Sequence, residues 1–197
     1  DGGGGVDVKA VRHSAADATK FPGNPVSYYC WTATSAAPNP SHAWWSDFGT
    51  GYITYSSKWT ALRPRCVRTT ALVKVPASRF VVQTETVQDS WTNLEWQRAV
   101  VAGTKTWQGA INYCAGLTLA GKSDWRLPNV RELHGIVDKS ESLGINPDVF
   151  AASPSNFFWS ATSHAGVISH GWRVGFFAGG YVQLWEKSSV YYVRCVR

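Results

Sequence analysis

The chain contains no methionine and only four cysteines in 197 residues. None of Cys30, Cys66, Cys114 and Cys195 belongs to a C-x-x-C pair or stands beside a histidine at ligand spacing, so zinc is not expected. No apolar run has the length of a membrane span, and no signal-peptide pattern is present. A Gly-X-Y collagen repeat is absent too. Acidic residues are scarce: 13 Asp and Glu face 19 Lys and Arg, a formal net charge of +6. The imbalance is local, because residues 58–74 hold Lys58, Arg63, Arg65, Arg68 and Lys74 and no acid. Such a field suits an anionic partner, namely a sulfated or uronic polysaccharide, an anionic lipid or a nucleic acid. The plainer alternative is a solvated face, or arginines used in internal ion pairs.

What the chain has in excess is aromatic side chains, with 11 Trp, 8 Tyr and 8 Phe. A core absorbs some of them, and the surplus suits flat amphipathic contact surfaces. Four cysteines in a loop-rich, export-like composition favour two disulfides, although sequence allows three connectivities. The opening Asp1 and the glycines after it read as a processed end or linker, so a mature fragment of a longer precursor is expected.

An internal repeat organises the chain. Residues 28–68 match residues 157–197. Trp31 precedes Trp44 by thirteen residues, as Trp159 precedes Trp172. Tyr52 precedes Cys66 by fourteen, as Tyr181 precedes Cys195, and both units close on Arg-Cys-Val-Arg. Thr34 aligns with Thr162, Phe48 with Phe176 and Gly51 with Gly180, with one extra residue near Phe177 in the second unit. This repeat favours Cys114–Cys195 and Cys30–Cys66 as the two pairs.

Only the second unit has a long body upstream. Residues 80–89 alternate as a strand, and a turn and second strand follow in WTNLEWQRAV. Thr106 caps a predicted helix with Trp107, Ala110, Ile111, Cys114 and Leu117 on one face. Asn129 and Glu132 form a capping box for a second, with Val130, Leu133 and Val137 as its apolar stripe. Short strands close the unit. The expectation is an α+β fold, an antiparallel sheet flanked by two helices, tandemly duplicated. Residues 1–78 form a shortened or processed module and residues 79–197 a complete one, with the junction at 70–78 and Pro76 as punctuation.

The ordered runs VQDSWTNLEWQR, TWQGAINYC, LAGKSDWRLPNVREL, NFFWSAT and YYVRCVR resemble the C-terminal domain family of the Legionella collagen-like adhesin. The resemblance covers residues 79–197, and 25–69 as the closing part alone. One departure is Asn93, where the family usually has glycine; it concerns a turn. The resemblance implies a C-type-lectin-like fold, secretion or cell-surface display, and adhesion to sulfated glycans such as glycosaminoglycans. Trimerisation does not carry over without the collagen repeat; two modules in one chain would supply valency covalently instead, and homo-oligomerisation stays open.

In lectin-like folds the segment between Gly180 and Tyr192 presents the binding face. Here it supplies Tyr181, Gln183, Trp185 and Lys187, with Trp172 and Arg173 on a neighbouring strand. The matching positions of the first unit supply Trp44, Trp45, Lys58 and Trp59, with Arg63 nearby. A ring stacks on sugar C–H bonds while a guanidinium binds sulfate, so these are the candidate ligand residues. The alternative is that they pack an interface between modules. Trp125 to Pro128 read as structural, and Arg65, Arg68, Arg194 and Arg197 as internal pairing groups. Asn146-Pro147-Asp148 lacks the acidic partners calcium requires, so no metal or cofactor is expected.

Three functional classes compete. A calcium-independent anionic-glycan adhesin leads. A lectin-like scaffold recognising a host or neighbouring-cell protein comes next, with Trp, Tyr and Arg as anchors. A formylglycine-generating-type enzyme needs a reactive cysteine pair, whereas these cysteines read as structural, and no triad or carboxylate pair is evident. Nucleic acid is disfavoured because no recognition motif appears.

Overall fold

A computed structural model describes residues 29–36, 39–68, 78–100, 102–139, 141, 143–177 and 180–197. The expected junction at 70–78, with Pro76, lies almost wholly outside the described residues. In chain order the elements are β1 (Tyr29–Ala36), β2 (Asn39–Asp47), β3 (Ile53–Ser57), β4 (Phe80–Val82), β5 (Thr86–Asp89), β6 (Leu94–Gln97), α1 (Trp107–Ala115), α2 (Val130–Gly135), β7 (Phe157–Ser163), β8 (His170–Gly175) and β9 (Tyr181–Glu186). The class is α+β, with antiparallel sheets and, among the described residues, two helices.

The helices begin where the caps place them. The Thr106 hydroxyl accepts from the Gly109 N–H at 3.2 Å. The Asn129 side chain accepts from Arg131 and Glu132, and Glu132 returns a bond to the Asn129 N–H at 2.8 Å, a complete capping box. Ala110 and Cys114 are the buried residues of α1; Leu117 falls beyond its end. The single strand expected over residues 80–89 is instead two, β4 and β5. A turn intervenes, closed by Gln83 N–H donating to the Thr86 carbonyl at 2.9 Å. The turn before β6 places Asn93 at φ 59, the left-handed region that glycine enters most freely.

Strands β4, β5 and β6 form a small sheet, and the other six form one sheet in the order β1-β2-β3-β9-β8-β7. That order joins the two aromatic segments edge to edge. At the seam Ile53 pairs with Val182, residues at matching positions of the two segments. Hydrophobic packing lies on both sides of the second half. Phe158, Val174 and Val182 join Leu133, Ile136, Val87 and Trp96 in one cluster. Trp159 joins Ala110, Cys114, Trp125 and Cys195 in the other.

The closing segment threads between these parts. Cys195 is bridged to Cys114, 81 residues away in sequence, with Cα atoms 5.5 Å apart. Val196 exchanges backbone bonds with Arg126 at 2.8 and 2.9 Å, and Arg197 does so with Glu95 at 3.0 and 2.9 Å. The expected Cys30–Cys66 bridge does not form: Cys30 is buried and Cys66 exposed, both as free thiols. Cys66 matches Cys195, but among the described residues no helix of the first half supplies a counterpart of Cys114, and Cys30 occupies the position of core residue Phe158.

Hydrogen bonds repeat between the halves along with the sequence. Trp31 N–H donates to the Arg63 carbonyl at 3.0 Å, as Trp159 does to Tyr192 at 3.0 Å. The Thr32 hydroxyl donates to the Trp44 carbonyl at 3.0 Å, as Ser160 does to Trp172 at 2.8 Å. Lys58 donates to Ser35 Oγ at 2.7 Å, as Lys187 does to Ser163 Oγ at 2.7 Å.

Candidate functional site

The seam carries most of the aromatic side chains singled out above. Tyr181 meets the Trp44 ring at 5.7 Å, and its counterpart Tyr52 meets Trp172 at 6.0 Å. Each half therefore offers a tyrosine to the other half's tryptophan, the reciprocal pattern of a two-fold interface. Tyr55 extends the group, 5.2 Å from Trp44 and 5.6 Å from Tyr181. Trp44 is fully buried, so its expected role on an outward binding face is corrected to packing. The Lys139 ammonium lies over its ring at 3.7 Å. Burial pulls that ammonium down to about 8, while the π face favours its charged form.

On the seam, Tyr29, Trp45 and Tyr52 line a cleft of about 410 Å³ together with Asp47, Thr50, Thr54 and Gln183. Trp45 is fixed by its indole N–H on Ser56 Oγ at 2.8 Å and by an edge contact with Tyr29 at 4.7 Å. Asp47 is buried and organises the turn after β2, accepting from Gly49 N–H at 2.8 Å and from the Thr50 hydroxyl. The cleft thus combines ring faces with hydroxyl and amide groups.

Behind Gln183 lies Arg173, the counterpart of Trp45. Its guanidinium sits 3.6 Å from the Phe157 centroid, 4.0 Å from Trp185 and 4.4 Å from Tyr191. One terminal nitrogen donates to Gln183 Oε1 at 3.0 Å, while Nε has no hydrogen-bond partner among the described residues. Burial lowers its pKa, and the neighbouring Tyr191 and Tyr52 oppose that. No carboxylate pairs with it among the described residues. At 4% exposure the guanidinium is not itself a free surface group; its charge is felt beneath Trp185, which is 45% exposed.

The remaining candidates are dispersed. Lys187 stands over the Trp107 ring at 4.0 Å. Lys58, Trp59 and Arg63 are exposed, Trp59 at 94%. Sequence reasoning missed Tyr29, Asp47 and Thr50 in the cleft and Lys139 beneath the seam. Tyr29 carried a readable signal, since it matches Phe157, the ring under Arg173; Lys139 carried none.

The arginines beside the closing cysteine of the second half are internal. Arg194 is fully buried and donates to the Gln97 and Arg98 carbonyls at 2.5 and 2.6 Å and to Ser153 Oγ at 2.5 Å. Arg197 spans Glu95 and Asp124, each at 2.6 Å. Burial raises the Glu95 carboxyl, but bonds from Lys122 and Arg197 outweigh it and hold the group below the usual range. Asn146 Oδ1 accepts from the Asp148 and Val149 N–H groups at 2.9 and 3.3 Å, a turn-forming role.

The second half is thus a disulfide-stapled α+β domain with ring-and-cation contacts along one strand layer. It belongs to a named family: residues 85–197, more than half of the chain, match the Lcl C-terminal domain, and the chain is a member. Membership points to an adhesin-like domain, compatible with a secreted or surface protein. No curated protein matches the chain. Among the described residues no helix is long and apolar enough to cross a membrane.

Proposed function

We propose that the protein is a secreted or surface-displayed adhesin that binds anionic glycans, sulfated ones foremost, without calcium, and that it acts by binding and not by catalysis. The reading rests on Arg173: a buried cation with no carboxylate partner among the described residues, stacked on three rings and linked through Gln183 to an open aromatic cleft. Ring faces take up the C–H surfaces of a sugar, and hydroxyl and amide groups orient it. The positive charges of Arg173 and Lys187 draw the acidic substituent.

We also read the chain as one complete lectin-like module, residues 79–197, joined to a shortened one within residues 1–78. The recurrent sequence, the recurrent hydrogen bonds and the reciprocal seam support this. A protein receptor is the second reading, favoured by the exposed Trp59 and Ile168, at 94% and 83%.

Binding to heparin and to its desulfated form at two salt concentrations tests the proposal. The sulfated polymer should bind, and weaken steeply with salt. Trp185→Ala with Lys187→Ala should cut binding at least about tenfold without altering the fold, since both side chains reach solvent. Equal binding of the two polymers, or an unaffected double variant, would refute the assignment.

A further inference from the structure

The segment Arg65-Cys66-Val67-Arg68 is identical in sequence to Arg194-Cys195-Val196-Arg197, yet the two live in opposite environments. In the second half Arg194, Cys195 and Val196 are all at 0% exposure. Val196 lies between β6 and Arg126, Cys195 is bridged to α1, and Arg197 pairs with Glu95 and Asp124. In the first half Arg65, Cys66, Val67 and Arg68 are exposed, with Val67 at 90%. Upstream, the environments still agree. Arg63 exchanges backbone bonds with Tyr29 and Trp31 at 3.1 and 3.0 Å, as Tyr192 does with Phe157 and Trp159 at 3.2 and 3.0 Å. The chain therefore leaves the sheet edge the same way in both halves, and only the cover differs.

We propose that residues 65–68 are a docking strand for the body of a like module carried by another polypeptide. This inference rests on the repeat reading above and not on the glycan reading. The second half specifies the occupant. It supplies a strand like β6 to pair with the backbone at Val67, an apolar site for the Val67 side chain, and carboxylates like Glu95 and Asp124 for Arg68. It also supplies a helix like α1, whose cysteine faces Cys66 as Cys114 faces Cys195. Docking closes a disulfide: each thiol gives up its hydrogen, and two electrons and two protons pass to an external disulfide oxidant, which leaves as a pair of thiols. The charged segment also serves the unoccupied chain, since exposed arginines disfavour aggregation through it.

The protein isolated from the cells that make it, alkylated before disruption, provides the test. Mass spectrometry of digests with and without reduction should find Cys66 protected until reduction. Its peptide should be joined to one with a tryptophan seven residues before the cysteine, as Trp107 stands before Cys114. Val67→Asp, made in the same cells, should lower the linked fraction at least about tenfold, because the new carboxylate would be buried on docking. Its thermal midpoint as an isolated chain should not move. Cys66 alkylated without reduction, joined to Cys30, joined to a small thiol, or joined to a peptide without that helical pattern overturns the proposal. So does an undiminished link in the Val67→Asp protein. Absence of the link in the unsubstituted protein with heparin binding retained would refute this inference alone, and a link found without heparin binding would refute only the glycan reading.

Discussion

Ile53 stands opposite Val182 at the seam of the six-stranded sheet, joining two segments that arrive from distant parts of the chain. Val182 is 5% exposed and belongs to the main core, against which Ile53 packs. The first three strands therefore share a hydrophobic cluster with the second half. Ile53→Ala should cost about 2 kcal/mol, the low end for such a truncation, because the residue is only half-buried. Urea unfolding followed by tryptophan fluorescence should show one transition moved to lower denaturant. Two transitions, with the upper one unmoved, would mean that the halves unfold independently.

His134 sets an acid limit on stability. Burial, with repulsion from Lys139, pulls its imidazole down to about 4, and Nε2 has no hydrogen-bond partner among the described residues. The unfolded chain binds this proton near pH 6.5, whereas the folded chain does not until near pH 4. Between those values the unfolded state holds more protons, so stability falls as pH falls, by at most about 3 kcal/mol from this group. Urea midpoints at pH 7 and pH 4.5 measure the loss, and His134→Leu should remove most of it. An equal decline in the variant would assign the effect to the carboxylates.

Much of the second half was legible because its signals are local. Thr106 and the Asn129–Glu132 pair announced their helices through bonds spanning three residues. The Arg-Cys-Val-Arg closures and aromatic spacings are what suggest a repeat in the sequence. The division of residues 80–89 was less visible, because alternation continues through the turn and only the bonds between Gln83 and Thr86 break the strand. The candidate site was half legible. Composition identified the residue types, but which ring faces solvent depends on the seam. Trp44 and Trp45 are adjacent in sequence, and alternation sends one into the packing and the other to the cleft. The Cys30–Cys66 expectation failed because a repeat conveys equivalence, not the presence of a partner helix.

The cysteines should separate cleanly by energy. The Cys114–Cys195 bridge closes 81 residues and lies at 0% exposure at both ends. Restriction of the unfolded chain contributes about 4 kcal/mol. Cys114→Ala with Cys195→Ala should lose most of that in urea at neutral pH. Cys66→Ser should change stability by less than about 0.5 kcal/mol, as expected for an exposed side chain. A large loss in Cys66→Ser would show that Cys66 bears load in the isolated chain.

Asn93 tests the turn before β6. At φ 59 its backbone is strained for any side chain with branching at Cβ, and asparagine tolerates it better than most. Asn93→Val should cost about 1–2 kcal/mol, whereas Asn93→Gly should be neutral or stabilising by a few tenths. Thermal denaturation of the two variants decides it; equal midpoints would mean that the turn relaxes without penalty.

The same substitution at the two closing valines should have opposite consequences. Val196 is fully enclosed, and its backbone joins β6 to Arg126. A carboxylate there has no access to water, and the adjacent Arg197 is already committed to Glu95 and Asp124. Val196→Asp should cost about 4 kcal/mol or more, enough to unfold a domain of ordinary stability. Val67 occupies the same place in the identical tetrapeptide but is 90% exposed. Val67→Asp in the isolated chain should therefore cost no more than about 0.5 kcal/mol. Circular dichroism and urea titration of the pair give the comparison. If Val67→Asp unfolds the chain as Val196→Asp does, the first closing segment is already covered, and no vacancy awaits a second module.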